Sequence, residues 1–224
     1  MSHARPRIGL FGGTFDPVHI GHLTLARWAR AELALDRLRL IPTGESWQKR
    51  PAWAPAADRL EMARLAFAHE PWVTIDEREV HRDGPSYTID TLIELRRELG
   101  PEPALVLLLG SDQLHNLATW RRYRELLDHA HLAITQRERV TLDGFAPEVE
   151  ALIAEHGTGA LPDAPAGALV FFRMPSVAVS ATVLRRQLAA GERPAELVPP
   201  TVLEYIDRRR LYRPPGPPEP GRHA

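Results

Sequence analysis

Cysteine is absent from the 224 residues, which excludes disulfide staples, thiolate metal sites and cysteine nucleophiles together. Lysine is almost absent: of 28 basic residues only Lys49 is lysine, and the rest are arginine. Charge of one sign is also lacking, because those 28 face 29 acidic residues for a net charge of −1. No global field exists to hold a nucleic-acid polymer or an anionic membrane as a partner. No apolar run approaches the ~18 residues of a membrane span. Met1 to Arg7 is short and polar and Ile8 to Phe11 is too brief for a leader, so a cytoplasmic protein is expected.

What is present is enough for one well-buried domain. Hydrophobic residues make up 44% of the chain and charged ones 25%, and a chain of this length hides roughly 70–75% of its unfolded surface. Strand-like and helix-like segments alternate. Strands are expected at Arg7–Phe11, Leu38–Ile41, Trp72–Ile75, Ala104–Leu109, His131–Thr135 and Ala168–Phe172. Helical spacing marks Ile20–Leu35, whose apolar positions include Leu23, Leu25, Ala26, Trp28, Ala29 and Leu33. Further helices are expected at Ala56–Ala68, Tyr87–Leu99, Ser180–Ala190 and Thr201–Arg210. Six strands with helical crossovers predict an α/β fold: a doubly wound, mainly parallel sheet flanked by helices. Ligands then sit at strand carboxyl ends. One domain over 1–213 is expected, with 180–213 as its C-terminal helical part. The tail 214–224, with five prolines, should be disordered. Residues 43–55 read as a long loop rich in polar and Trp residues, functional or mobile at that length.

The segment Gly12-Gly13-Thr14-Phe15-Asp16-Pro17-Val18-His19-Ile20-Gly21-His22 joins the first strand to the first helix. Its glycines permit close backbone approach and positive φ, and the helix start beyond offers amides and a dipole to an anion. His19 and His22, three apart, put two imidazoles on one side. Gly21 between them leaves room for a ligand. The histidines also read as surface decoration or half of a metal site, although no Cys, Asp or Glu stands at zinc-ligand spacing. Near the far end, Ser180 suits a helix N-cap and Gly191 a C-cap. The same helix start presents Thr182 and Arg185, whose planar fork suits phosphate oxygens.

These residues carry a resemblance. Gly-Thr-Phe-Asp-Pro-x-His-x-Gly-His resembles the signature of the nucleotidyltransferase superfamily, whose members have a Rossmann-like fold. His19-Ile20-Gly21-His22 alone is also similar to the class I aminoacyl-tRNA synthetase signature, but this chain has no room for a tRNA-binding domain and no Lys-Met-Ser-Lys-Ser loop. Ser180-Ala181-Thr182-Val183-Leu184-Arg185 resembles the superfamily's Ile-Ser-Ser-Thr-x-x-Arg motif, departing at Val179 and Ala181. Over Arg7 to Arg213 the chain is similar to the bacterial nicotinate-nucleotide adenylyltransferase family. That likeness includes Pro85-Ser86-Tyr87-Thr88, Gly110-Ser111-Asp112, Ala118-Thr119-Trp120 and the ending Leu211-Tyr212-Arg213.

The resemblance implies transfer of an adenylyl group from ATP to nicotinate mononucleotide. It implies ATP binding by Gly12, Gly13, Thr14, Phe15, His19, His22, Gly110, Asp112, Ser180, Thr182 and Arg185. It implies nicotinate mononucleotide binding by Asp16, Lys49, Thr88, Trp120 and Arg121, with Trp120 stacked on the pyridine ring. His19, His22, Lys49 and Arg185 would be catalytic, and Mg²⁺ would arrive on the ATP phosphates with no protein metal site. A phosphate nucleophile needs no general base, so in-line attack without a covalent intermediate is expected. Each residue keeps an alternative: Trp120 as core, Thr88 as helix cap, Lys49 as a solvated loop cation beside Trp47 and Gln48. The alternatives for the whole chain are a nucleotide-sensing protein without turnover, or an enzyme taking nicotinamide mononucleotide or phosphopantetheine.

Overall fold

The computed structural model describes residues 5–46, 52–137 and 144–213. Strands β1 (Arg7–Gly13), β2 (Arg37–Pro42), β3 (Glu45–Ser46), β4 (Val73–Ile75) and β5 (Pro85–Ser86) occupy the first half. The second half adds β6 (Ala104–Gly110), β7 (His131–Arg137), β8 (Gly157–Thr158) and β9 (Leu169–Met174). The longer helices are α1 (Ile20–Glu32), α2 (Ala56–Phe67) and α3 (Thr88–Leu99), then two short turns, α4 (Ser111–His115) and α5 (Leu126–His129). The chain closes with α6 (Pro147–His156), α7 (Ala181–Ala189) and α8 (Pro200–Arg209).

Among the described residues seven strands form one parallel sheet in the order β4-β2-β1-β6-β7-β9-β8. The chain moves outward from β1 through β2 to β4, returns beside β1 as β6, then continues through β7 to β9. The direction therefore switches between β1 and β6, where a parallel sheet opens a crevice at its carboxyl edge. All six expected strands are present in that doubly wound order. The expected loop 43–55 is less irregular than read, because β3 lies inside it and pairs with β5.

Alternation along the strands explains the two apolar layers. Leu10, Leu105, Leu107, Leu109, Leu132 and Ile134 face one layer, closed by Ile89, Leu92 and Leu95 of α3 and by Val149 and Leu152 of α6. Phe11, Val106, Leu108, Leu38 and Leu40 face the other, closed by Ala26 and Ala29 of α1, Met62 and Ala63 of α2, Leu184 of α7 and Val202 and Ile206 of α8. Trp28, placed in the apolar stripe of α1, is instead exposed. The stripe is satisfied by the small Ala26 and Ala29, which let the helix lie close to the sheet. Gly191 adopts φ +83° just after α7, as its capping role requires.

The C-terminal segment docks through polar bonds as well as packing. Asp58 of α2 is buried and accepts hydrogen bonds from Tyr205 Oη (2.8 Å) and Arg209 Nε (2.9 Å) of α8. The expected disorder of 214–224 falls outside the described residues.

Candidate active site

Gly12 and Gly13 end β1 at the switch point, paired with Ile41 and Pro42 of β2. Both are strand residues, so the positive φ expected of them does not occur; it falls on Phe15, at φ 51°. The glycines matter instead for space. A Cβ on Gly12 would meet nothing within 4 Å, whereas one on Gly13 would lie 3.0 Å from the Phe15 ring. Phe15 is buried, its ring edge-on to Phe11 (5.4 Å) and to His22 (5.0 Å). Its side chain is thus the floor beneath the loop.

His19 caps α1 in extended backbone. The His19 and His22 rings stack at 3.8 Å with 17° between their planes. The His19 amide donates to His22 Nδ1 at 3.2 Å. That nitrogen must be the unprotonated one, which leaves the proton on Nε2 as a donor. The i, i+3 spacing therefore does bring both rings to one side. Gly21 corrects the expectation of ligand room: a Cβ there would lie 2.8 Å from Val179 Cγ1 and 3.1 Å from the His19 ring. The missing side chain makes way for the protein itself. One helix-start amide is also committed, since Ile20 N–H donates to Leu197 O at 2.9 Å.

Asp16 sits beside this loop with only 4% of its surface exposed. Its Oδ1 accepts from Tyr212 Oη (2.7 Å) and Ala54 N–H (3.2 Å), and its Oδ2 from Trp53 N–H (2.8 Å). Burial and the Asp16 charge push the Tyr212 phenol well above its ordinary range. Arg185 of α7 donates to the Asp16 carbonyl (2.8 Å) and to Thr182 Oγ1 (3.2 Å), and its guanidinium lies 5.8 Å from the Trp53 ring centre. Ser180 precedes α7 as its N-cap, exposed, and its hydroxyl makes no cap bond. The motifs at residues 12–22 and 180–185 are thus brought together across the chain.

On the other side of Gly12 and Gly13 a cleft of about 760 Å³, counting its open mouth, runs toward α3. Thr14, Thr43, Ser86, Thr88, Gln113 and Trp120 supply much of its wall. Thr88 opens α3 behind Tyr87 in extended backbone. Trp120 is half-buried against the core layer of α3, and its Nε1 lacks a hydrogen-bond partner among the described residues, as does the buried Ser86 Oγ. Arg121 is exposed, stacked over Tyr87 (4.7 Å) and 3.7 Å from Asp90. Gly110 ends β6, and Asp112 is exposed in α4, where its carboxylate accepts from Gln113 (2.8 Å). Lys49, with Trp47 and Gln48, lies outside the described residues.

Glu79 and Arg59, both buried beside the site, were given no role from the sequence. Glu79 lines the cleft and accepts from Thr91 Oγ1 at 2.7 Å. Burial raises its pKa, opposed by the Thr91 and Thr43 hydroxyls and the Arg82 charge. Arg59 of α2 is 2% exposed. It donates to four main-chain carbonyls: Thr14 (2.8 Å), Thr43 (2.6 Å), Gly44 (3.0 Å) and Ala54 (3.2 Å). Burial lowers its pKa, and the nearby Asp16 charge works against that. The available signal was a charge pair, Asp58-Arg59, inside an otherwise apolar helix start.

Two motifs converging on the switch point, with stacked imidazoles, a guanidinium and an open glycine edge, define a nucleotide-binding α/β protein. The cytidylyltransferase-like family model matches residues 10–187. A relative from Laribacter hongkongensis, named "Probable nicotinate-nucleotide adenylyltransferase", is 46% identical over 210 residues, covering 93% of this chain and 96% of that one. A relative of the same name from Pseudomonas aeruginosa is 44% identical over 213 residues, covering 93% and 98%. Plasmodium falciparum nicotinic acid mononucleotide adenylyltransferase, solved in complex with NaAD, superposes with a TM-score of 0.69 at 17% identity. It covers 92% of this chain and 97% of the other, a likeness of fold. The chain belongs to the cytidylyltransferase-like family and, within it, to the nicotinate-nucleotide adenylyltransferases.

Proposed function

We propose that this chain transfers the adenylyl group of ATP to nicotinate mononucleotide, yielding deamido-NAD (nicotinate adenine dinucleotide) and pyrophosphate for NAD biosynthesis. The observation that carries the reading is the meeting of the two phosphate motifs beside a cleft walled by Thr88 and Trp120. Its identity with relatives of that name over nearly their whole length supports the acceptor. The reading is of a single cytoplasmic domain over 1–213 acting on small molecules; among the described residues no helix is long and apolar enough to cross a membrane.

Mechanistically, the acceptor phosphate is already ionised near neutral pH, so positioning and charge stabilisation suffice. His19, His22 and Arg185 would hold the triphosphate of ATP, with Thr182 and the unused Ser180 hydroxyl beside them. Gly12, Gly13, Thr14 and the backbone of Phe15 would line its path, and Gly110 and Asp112 would take the ribose. Thr88 and the backbone near Trp120 and Arg121 would receive the ring carboxylate, with the Trp120 face on the pyridine. Lys49 would add a further cation. Nitrogen donors of this kind suit phosphate oxygens better than a hard cation. Mg²⁺ carried on ATP would neutralise phosphate charge. Asp16, with both oxygens engaged by protein donors, would serve nicotinate mononucleotide binding by shaping the loop.

The test is product stoichiometry with Mg-ATP and nicotinate mononucleotide. Equal amounts of dinucleotide and pyrophosphate are expected. ATP bound without pyrophosphate from any acceptor would make the chain a sensor.

A further inference from the structure

Loops that build a phosphate site must be fixed to one another, and buried carbonyls at their bends need donors. In this chain one side chain supplies them. Arg59 reaches from α2 to the carboxyl ends of β1 and β2, where its guanidinium donates to four main-chain carbonyls. Thr14 belongs to the phosphate loop. Thr43 and Gly44 open the segment that carries Lys49, and Ala54 closes it. Asp16 ties the closing end a second time, through the amides of Trp53 and Ala54.

We propose that Arg59 is a positioning residue for adenylyl transfer: its guanidinium sets the phosphate loop and both ends of the 43–55 segment in one register. The inference rests on the function proposed above, and it assigns Arg59 no contact with substrate. A planar fork is required, because four carbonyls in different directions exceed what one ammonium can reach. Displacement by about 1 Å of groups that align reactants costs about 10²-fold in rate. The loss should therefore fall on kcat more than on KM.

The fold contains its own control. Arg96 of α3 also donates to four main-chain carbonyls, those of Gly100 (3.2 Å), Pro103 (2.8 Å), His129 (2.6 Å) and Pro165 (3.0 Å). Pro103 and His129 lead into the amino ends of β6 and β7, so this fork sits at the sheet edge opposite the cleft. A purely structural role would make Arg59→Lys and Arg96→Lys behave alike.

Both variants are compared with the wild type for thermal midpoint, for kcat and KM with Mg-ATP and nicotinate mononucleotide, and for calorimetric affinity toward a non-hydrolysable ATP analogue. Both midpoints should fall. Arg59→Lys should lose about 10²-fold in kcat, while Arg96→Lys stays within about threefold of wild type. Parallel losses, or an Arg59→Lys kcat within that same narrow range, overturn the proposal. If the wild type turns nothing over, the functional reading fails, and Arg59 is judged by calorimetry. Analogue binding weakened at least about tenfold in Arg59→Lys alone then upholds its placement of the loop, and equal affinities overturn it. Should Arg59→Lys not fold, Arg59→Gln, with its planar two-donor amide, takes its place. If neither folds while Arg96→Lys does, Arg59 is a folding post and the positioning claim is overturned.

Discussion

Replacing His22 by alanine removes a donor, an acceptor and a stacked ring face at once, and the geometry predicts which observable each moves. The ring loses Nε2–H, the donor left by the 3.2 Å bond from the His19 amide to Nδ1. Loss of one preorganised donor at developing charge costs about 10²–10³ in kcat, or about 2.7–4 kcal/mol. The substitution also removes the acceptor for the His19 amide, worth about 0.5–1.5 kcal/mol of stability. The ring face that stacks on His19 at 3.8 Å goes with it. Pyrophosphate release at saturating Mg-ATP and nicotinate mononucleotide reads the first effect, and thermal unfolding reads the second. His22→Asn separates them: its amide oxygen stands near Nδ1 and can keep the cap, but no donor reaches the Nε2 position. Its stability should recover while kcat stays about 10²-fold low. A His22→Ala kcat within about threefold of wild type would refute the donor role, whatever the thermal midpoint.

Three further outcomes follow from other parts of the site and core. Trp120→Ala should raise KM for nicotinate mononucleotide up to about tenfold, the loss of ~0.5–1.5 kcal/mol of ring stacking. KM for ATP should move little, and an equal rise in both constants contradicts the assignment. Lys49→Arg should lower kcat/KM if a compact ammonium is needed at the phosphates; unchanged kinetics would return Lys49 to the solvent. His131, fully buried, donates from Nε2 to Ala164 O (2.8 Å) and accepts the Ala168 amide on Nδ1 (3.1 Å), which requires a neutral ring. Burial holds its pKa below the ordinary 6.5, the Ala164 carbonyl opposing and the Arg7 and Arg96 charges assisting. The unfolded chain then binds the extra proton. Stability from this group is complete above about pH 6.5 and declines as pH falls toward the lower folded value, by at most ~1.4 kcal/mol per pH unit. Denaturant titrations from pH 7.5 to 5 should show that slope in wild type and its absence in His131→Asn; identical slopes would contradict it.

The parts of this fold written in local patterns were legible. Apolar runs such as Ala104–Leu109 and the helical spacing of α1 placed the strands and the doubly wound class, while the strand order and the switch between β1 and β6 come from the structure. Helix α6 was not placed, although Pro147, Val149 and Leu152 give it a start and a buried face. Strand β3 was hidden because two residues carry no period, and their pairing with β5 depends on a segment 40 residues further on.

For the site, residue type alone does not show which polar groups answer to the protein. Asp16 was read as a substrate-binding residue, and in the structure Trp53, Ala54 and Tyr212 donate to its carboxylate. Gly21 looked like ligand space, yet Val179 and the His19 ring occupy it. Arg59 was passed over because an arginine in a helix normally faces water, and only the converging carbonyls of the phosphate loop and both ends of the 43–55 segment explain its burial. Such roles arise from tertiary contacts and leave no spacing to read.

The most direct measurement compares kcat/KM for nicotinate mononucleotide, nicotinamide mononucleotide and phosphopantetheine under the same Mg-ATP. The account predicts the highest value for nicotinate mononucleotide, whose ring carboxylate would meet Thr88 and whose ring would meet Trp120. A nicotinamide mononucleotide value equal to or above it, or turnover with phosphopantetheine alone, would contradict the account.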